Sequence, residues 1–452
     1  MQRTEFRDSS IMVFKMSLPI FIELMLQLLV GNIDQIMISR YSQNAVAAIG
    51  NGNQLMNLII IFLNMMCVAT SILISRSLGA HNTQKVAVVC NVSFIVIAVF
   101  SSIGTVLAIG FRTDLFRALS IPDEILIETG TYFAIVGAFL VVQGLYANLA
   151  AILRSHGLVK EVMTVSLIMN LANIVGNAVL INGLFGAPRL GIKGAAIATD
   201  ISKVIGLVLM FVAFRKNIPV RLSTEYLRPF PFEVMREILG IGLPSGAQQA
   251  SYSLSEVFIL RMVNTFGTAI IATRVYCNIL TQFAFVYVMA ISSATQILIG
   301  YLIGSAQYDR INARIIKTVG ISIAVSVGLT GVLYGFSDQL FSIFTQDSEI
   351  LVLGKQIIFI EFFLEVGRAI NIVLTKTLVA AGDVMFSVWV GVFFGWIIAV
   401  MGGYLLGVHW GYGLIGIWMA KAIDELVRAG VLLLRLKSSA WRKKISDNSV
   451  TA

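Results

Sequence analysis

Charge is what this chain of 452 residues most conspicuously lacks. Only 13% of its residues are charged while 57% are hydrophobic, and soluble domains carry about 25% charged residues. No water-facing shell can be built from that mixture. A soluble enzyme, a disordered protein and a nucleic-acid-binding module are excluded. Cysteine is scarce as well. Cys67, Cys90 and Cys277 lie far apart inside apolar runs, so there is neither a disulfide framework nor a zinc spacing. The three histidines, His81, His156 and His409, fall in expected loops. HExxH, an aspartate-rich prenyl-binding motif, a Gly-rich phosphate loop and Gly-x-Ser-x-Gly are all missing. An intramembrane enzyme has no catalytic set to stand on, and an ATP-driven pump has no nucleotide domain.

What the chain does have is long apolar runs, each near the ~20 residues that cross a bilayer. Twelve are expected, at roughly 17–39, 48–75, 86–110, 126–152, 161–184, 190–213, 237–263, 270–300, 316–336, 350–375, 384–407 and 414–435. The first is not a signal peptide: it is too long, contains Glu23 and Asp34, and lacks a small-residue cleavage site. Twelve spans put both termini on one side. The N-terminus, the even-to-odd loops and the C-terminus, with Lys317 and Arg435 at the edges of their spans, hold 21 of the 33 basic residues. The heaviest clusters are Arg215, Lys216, Arg221, Arg228 and Arg236, then Arg435, Lys437, Arg442, Lys443 and Lys444. The positive-inside rule places these, and both termini, in the cytoplasm, with the protein in the cytoplasmic (inner) cell membrane. The net charge of +9 then reflects topology and contact with anionic lipid, not nucleic acid.

The sequence also repeats. With a shift of 225, Leu18-Pro19 falls on Leu243-Pro244, Asn53 on Asn278, Leu55 on Leu280 and Ala69-Thr70 on Ala294-Thr295. Gly79 falls on Gly304, Gly157 on Gly382 and Gly191-Ile192 on Gly416-Ile417. Six spans separate the copies, so they share orientation, a parallel repeat about an axis along the membrane normal. The expected fold is an all-α polytopic membrane protein with twelve transmembrane helices in two pseudo-symmetric six-helix lobes. Residues 1–213 form an N-lobe and 237–452 a C-lobe with its tail. The linker 214–236 holds three of the seven prolines.

A polar residue inside a span is costly and points to function. Glu23, Gln27, Gly31 and Asp34 share one face of the first span, and Asn170, Asn173 and Asn177 one face of the fifth. Thr199 and Asp200 lie in the sixth. The repeat sets Asp34 against Ile259, Asn173 against Ile398 and Asn177 against Gly402, so the cluster has no copy in the C-lobe. Asparagine also serves as a hydrogen-bonding link between membrane helices, and a buried carboxylate can simply pair with a distant lysine. In the C-lobe, Ser245, Gln249, Tyr252 and Glu256 share one face, and Glu361, Glu365 and Arg368 another. Glu365 and Arg368 are spaced to neutralise each other. Arg261, Arg274 and Lys421 are read as snorkelling from span ends.

These residues carry a resemblance over essentially all twelve spans. The stretches LPIFIELMLQLLVGNIDQIMISRYS, NIVGNAVLINGLFGAPRLGIKGAAIAT, GLPSGAQQ and EVGRAIN with AAGD resemble the multidrug and toxic compound extrusion (MATE) family, and its bacterial DinF-like branch most. The resemblance implies an antiporter, working as a monomer, that exports cationic amphipathic organic compounds in exchange for H⁺ or Na⁺. It implies Asp34 as coupling carboxylate, supported by Asn173, Asn177 and Thr199, with Gln27 and Tyr132 in the cavity and Pro19 where the first helix bends. Asn177 departs from the many relatives that carry Asp there. Losing that carboxylate weakens a Na⁺ site and favours H⁺. No other cofactor is implied.

The expected mechanism is competition for Asp34 between an organic cation and a proton, with reciprocal coupling. Met25, Met37 and Met56, with Met65 and Met66, offer adaptable walls, Tyr132 a ring for a cation, and Glu256 a second acid. Most methionines and phenylalanines in such a chain face lipid or fill helix contacts. The rival readings are a Na⁺-coupled antiporter and a flippase for lipid-linked precursors. The flippase would need a cationic cavity, whereas the charges inside these spans are mainly acidic. A membrane enzyme or receptor is the reading from another class.

Overall fold

The computed structural model describes residues 9–118, 121–438, 440–442 and 444. They are almost entirely helical. The first half runs α1 (Ser10–Ser39), α2 (Gln43–Gly79), α3 (Thr83–Gly110), α4 (Arg112–Ala118), α5 (Asp123–Ala138), α6 (Leu140–Ser155), α7 (Val159–Asn182) and α8 (Ile192–Asn217). The second runs α9 (Phe232–Val263), α10 (Thr268–Gly304), α11 (Tyr308–Gly335), α12 (Ser337–Ser342), α13 (Ser348–Ala381), α14 (Val384–Phe394) and α15 (Gly413–Lys437). Two π-helical stretches, Gly395–Gly402 and Tyr404–His409, extend α14. His409 therefore ends a helical segment and does not lie in the expected loop.

Helices that span a bilayer satisfy every backbone group internally. The described residues form twelve long helical segments, with α5 and α6 joined at a 48° bend as one and α14 continued by its π run as another. Among the described residues, eight helices are apolar and long enough to cross alone, and the bent pair makes a ninth. The remaining three, α9, α13 and α15, carry several charged residues within their length.

Contacts divide the chain into two compact units. Ile22–Gly246 form one, and Ala247 onward, with the start of α1 up to Phe21, form the other. The first unit packs around Phe116, Phe133, Met56, Tyr132 and Leu140, with the two phenylalanine rings edge to face at 5.1 Å. The second packs around Phe341, Ile357, Leu364 and Trp418. Phe116 and Phe341 are related by the 225 shift, and both are fully buried.

The repeat reaches the backbone. α2 ends with His81 at φ 57° and α10 with Ala306 at φ 57°. At the first, Asn82 N–H donates to Ser77 O, and at the second Gln307 N–H donates to Leu302 O, each at 2.9 Å. The turn before α7 sets Gly157 at φ 79°, and the turn before α14 sets Gly382 at φ 94°. Glycine holds that left-handed geometry without strain. The copies part company in two places. The bend at Phe139 has no counterpart within the continuous α13. The π stretch Gly395–Gly402 occupies the register of Asn170–Asn177 in the regular α7.

Candidate functional site

The 3.6-residue period of α1 brings Asp34 to the side of α7 that carries the asparagines. Asn177 Nδ2 donates to Asp34 Oδ1 at 2.6 Å. With the Asn173 amide turned so that both its ends have partners, its nitrogen lies 3.2 Å from both Asp34 oxygens. Its oxygen is then 3.3 Å from Thr199 Oγ1 on α8. Asn177 and Asn173 are 1% and 6% exposed, while Asp34 is half-buried. Among the described residues no basic side chain forms an ion pair with Asp34. The acid is held by neutral donors and keeps its charge uncompensated when ionised.

Tyr132, from α5, is buried in the first unit's core and donates its hydroxyl to Asn53 Oδ1 at 3.0 Å. It lies within electrostatic reach of Asp34 and Asp200. In the sequence Asn53 serves as a register point of the repeat, and its place beside the buried Gly52 and Met56 of α2 is the signal for this contact. Met56 is buried in the core and Met37 packs against it, while Met25 is half-buried. Gln27 is exposed. Pro19 lies inside a continuous α1. Deeper in the unit, Glu23 is buried and accepts from Arg154 Nη2 of α6 at 2.5 Å.

The second unit gathers its own charges. Arg368 pairs with Glu365 and, at 3.3 Å, with Glu361. Glu361 also accepts from Trp418 Nε1 at 2.8 Å. Arg428 binds Asp424 at 2.5 Å and Glu425 at 2.9 Å. Lys421 binds Glu256 at 2.8 Å, with Arg274 at 3.7 Å on the same carboxylate. Arg274 and Lys421 thus pair inside the unit, which corrects the snorkelling expected for them. Their α10 and α15 positions face α9 and its acid. The stripe Lys421, Asp424, Glu425 and Arg428, at spacings of 3, 1 and 3 in an apolar helix, was the signal that sequence reasoning passed over.

Known proteins now add their weight. The MatE family pattern matches residues 19–179 and again 244–405. The chain belongs to the MatE family. The two MatE matches start 225 residues apart, the shift at which the sequence and the backbone repeat. The chain is 35% identical to Uncharacterized transporter YisQ of Bacillus subtilis over 438 residues, covering 97% of this chain and 96% of that one. It is 25% identical to the Thermotoga maritima protein named Probable multidrug resistance protein NorM, over 96% and 93% of the two chains. An outward-facing structure of a multidrug resistance MATE family transporter of the MOP superfamily superposes with a TM-score of 0.87 at 23% identity, over 96% of each chain. This MatE chain therefore has the two-lobe, twelve-helix MATE fold, and it is a multi-pass membrane transporter, not an enzyme.

Proposed function

We propose that this MATE transporter is a multidrug antiporter that exports cationic amphipathic organic compounds in exchange for H⁺ by alternating access. The observation that carries the reading is Asp34, a half-buried carboxylate met by the amides of Asn177 and Asn173 and by no cation of the protein. Ionised, it attracts an organic cation; protonated, it lets one go. The Asn177 amide nitrogen points at it, and so does that of Asn173 in the orientation that gives both its ends partners. Na⁺ is held by several oxygens, with charge among them, so the donor set favours H⁺. Multidrug resistance proteins among the relatives support a drug-like substrate.

In this reading Thr199 supports the Asn173 amide, Tyr132 and Gln27 line the cavity with Met25, Met37 and Met56, and α1 bends near Pro19 once Asp34 is neutral. Glu256 is the less favoured contributor, since Lys421 already occupies it. Asp34 of the first span, with its paired asparagines, supports kinship with the DinF-like branch. Basic loops put both termini in the cytoplasm, and the protein works as a monomer in contact with lipid. Residues 1–213 carry the coupling site, 214–236 link, and 237–452 form the second lobe and tail.

The test is reconstitution. A pH gradient and a Na⁺ gradient are imposed separately, and release of a cationic dye is followed. Dye efflux under the pH gradient, cut about a hundredfold by Asp34→Asn, is expected. Efflux driven by Na⁺ alone, or undiminished H⁺-driven efflux in the variant, sinks the proposal.

A further inference from the structure

One carboxylate in the first unit has no role so far. Asp200 on α8 is 2% exposed, and neither of its oxygens has a hydrogen-bond partner within the protein. Buried polar atoms almost always have one, in protein or in water, and an ionised group without one is strongly disfavoured. A salt bridge does not explain it: Lys203, one turn on, makes neither a hydrogen bond nor an ion pair with it.

The repeat sharpens the anomaly. The counterparts of Tyr146, Asp200 and Lys203 are Asn371, Glu425 and Arg428. In the second unit these three close on one another: Asn371 Nδ2 donates to Glu425 Oε2 at 2.5 Å, and Arg428 binds Glu425 at 2.9 Å. In the first unit the shorter acid stays open on the same scaffold. Its surroundings are polar and run on through the bundle. Asn170 Nδ2 on α7 is buried without a partner, as is Arg154 Nε on α6. The hydroxyls of Tyr146 and Ser166 are buried without a partner as well. Gly206 permits this: a β-carbon there would lie 3.1 Å from the Tyr146 ring and 2.8 Å from Met169 Sδ. The ionisable groups facing Asp200 are Lys203 on its own helix and Tyr132 from α5. Ser166 and Asn170 share the α7 face of Asn173, which meets Thr199 next to Asp200, and Tyr146 of α6 packs on Gly206 of α8.

We propose that Asp200 is a second proton-carrying carboxylate of the first unit, exchanging its proton through water along Asn170, Ser166 and Tyr146 toward the Glu23–Arg154 pair. It rests on the proton coupling proposed above and adds a carrier that Asp34 does not supply. No bond other than the carboxyl O–H forms or breaks. By the proposed topology, Glu23 and Arg154 lie on the cytoplasmic side of Asp34, so the path leads inward.

The experiment separates protonation from transport. Infrared difference spectra of the purified full-length protein, taken from acid to alkaline pH, follow carboxylic C=O bands with no gradient present. A titrating band retained in Asp34→Asn and lost in Asp200→Asn is expected. In proteoliposomes Asp200→Asn should slow pH-driven dye efflux by about tenfold, whereas Asp200→Glu, which keeps the carboxyl, should stay within about threefold. The proposal is overturned if Asp200→Asn keeps every titrating band, if the band responds to Na⁺ and not to pH, or if both variants lose efflux equally. Should Asp200→Asn fail to fold, Asp200→Glu decides: a displaced band with a displaced pH profile supports the proposal, and an unmoved band overturns it. A wild type that shows the band but moves no dye under a pH gradient refutes the antiporter reading and leaves Asp200 a proton carrier.

Discussion

The two units bury most of their acids differently, although the first also holds one ion pair, Glu23 with Arg154. The second holds six buried or half-buried carboxylates and five cations in direct pairs: Glu256, Glu361, Glu365, Asp383, Asp424 and Glu425 with Arg274, Arg368, Lys421, Arg428 and Arg435. The first meets Asp34 with the amides of Asn177 and Asn173 and leaves both oxygens of Asp200 without a hydrogen bond. A paired charge stays charged and fixed. A carboxylate with neutral neighbours can change its charge without stranding a partner. One scaffold thus carries a rigid ionic half and a half equipped to titrate.

That contrast breaks first at Arg368. Replacing it by Met strands Glu361 and Glu365, which are 2% and 0% exposed, and should cost about 3–5 kcal/mol. A large drop in melting temperature in detergent is the readout, and an unchanged one would show that the pairs are not structural. Asp34→Asn is next. Efflux under a pH gradient should fall about a hundredfold while melting hardly moves, the reverse of Arg368. Tyr132→Phe loses the 3.0 Å bond to Asn53 and should cost about 1 kcal/mol, seen as a small fall in melting temperature. The smallest effect tests where the units agree. His81→Gly and Ala306→Gly relieve the same left-handed position, and each should add about 0.5–1 kcal/mol. Unequal shifts in melting temperature would mean that the repeat is less exact in energy than in geometry.

Much of this was legible in the residues. Apolar runs located the spans, and the fixed shift found the duplication, because turn glycines and capped helix ends keep their spacing. The first-span and fifth-span stripes picked out side chains that do meet, since helical spacing puts Asp34, Asn173 and Asn177 each on one face. The ionic cluster was harder. Lys421 and Arg274 sit near the ends of apolar runs, and sequence alone does not say which face of α15 or α10 turns to Glu256. The bend at Phe139 and the π stretch carry no proline, so no local signal announced them. The unbonded state of Asp200 is a property of its packed surroundings, invisible until Lys203 is seen to make no bond with it.

The π stretch in the second unit also bears on how readily water reaches the backbone. Its amides reach to the fifth residue back, a looser closure than the α-helical one. Protection against hydrogen exchange follows the local cost of opening. Deuterium should therefore enter Gly395–Gly402 before it enters the matching turns of α7, and mass shifts in the two segments would time the opening of one copy against the other.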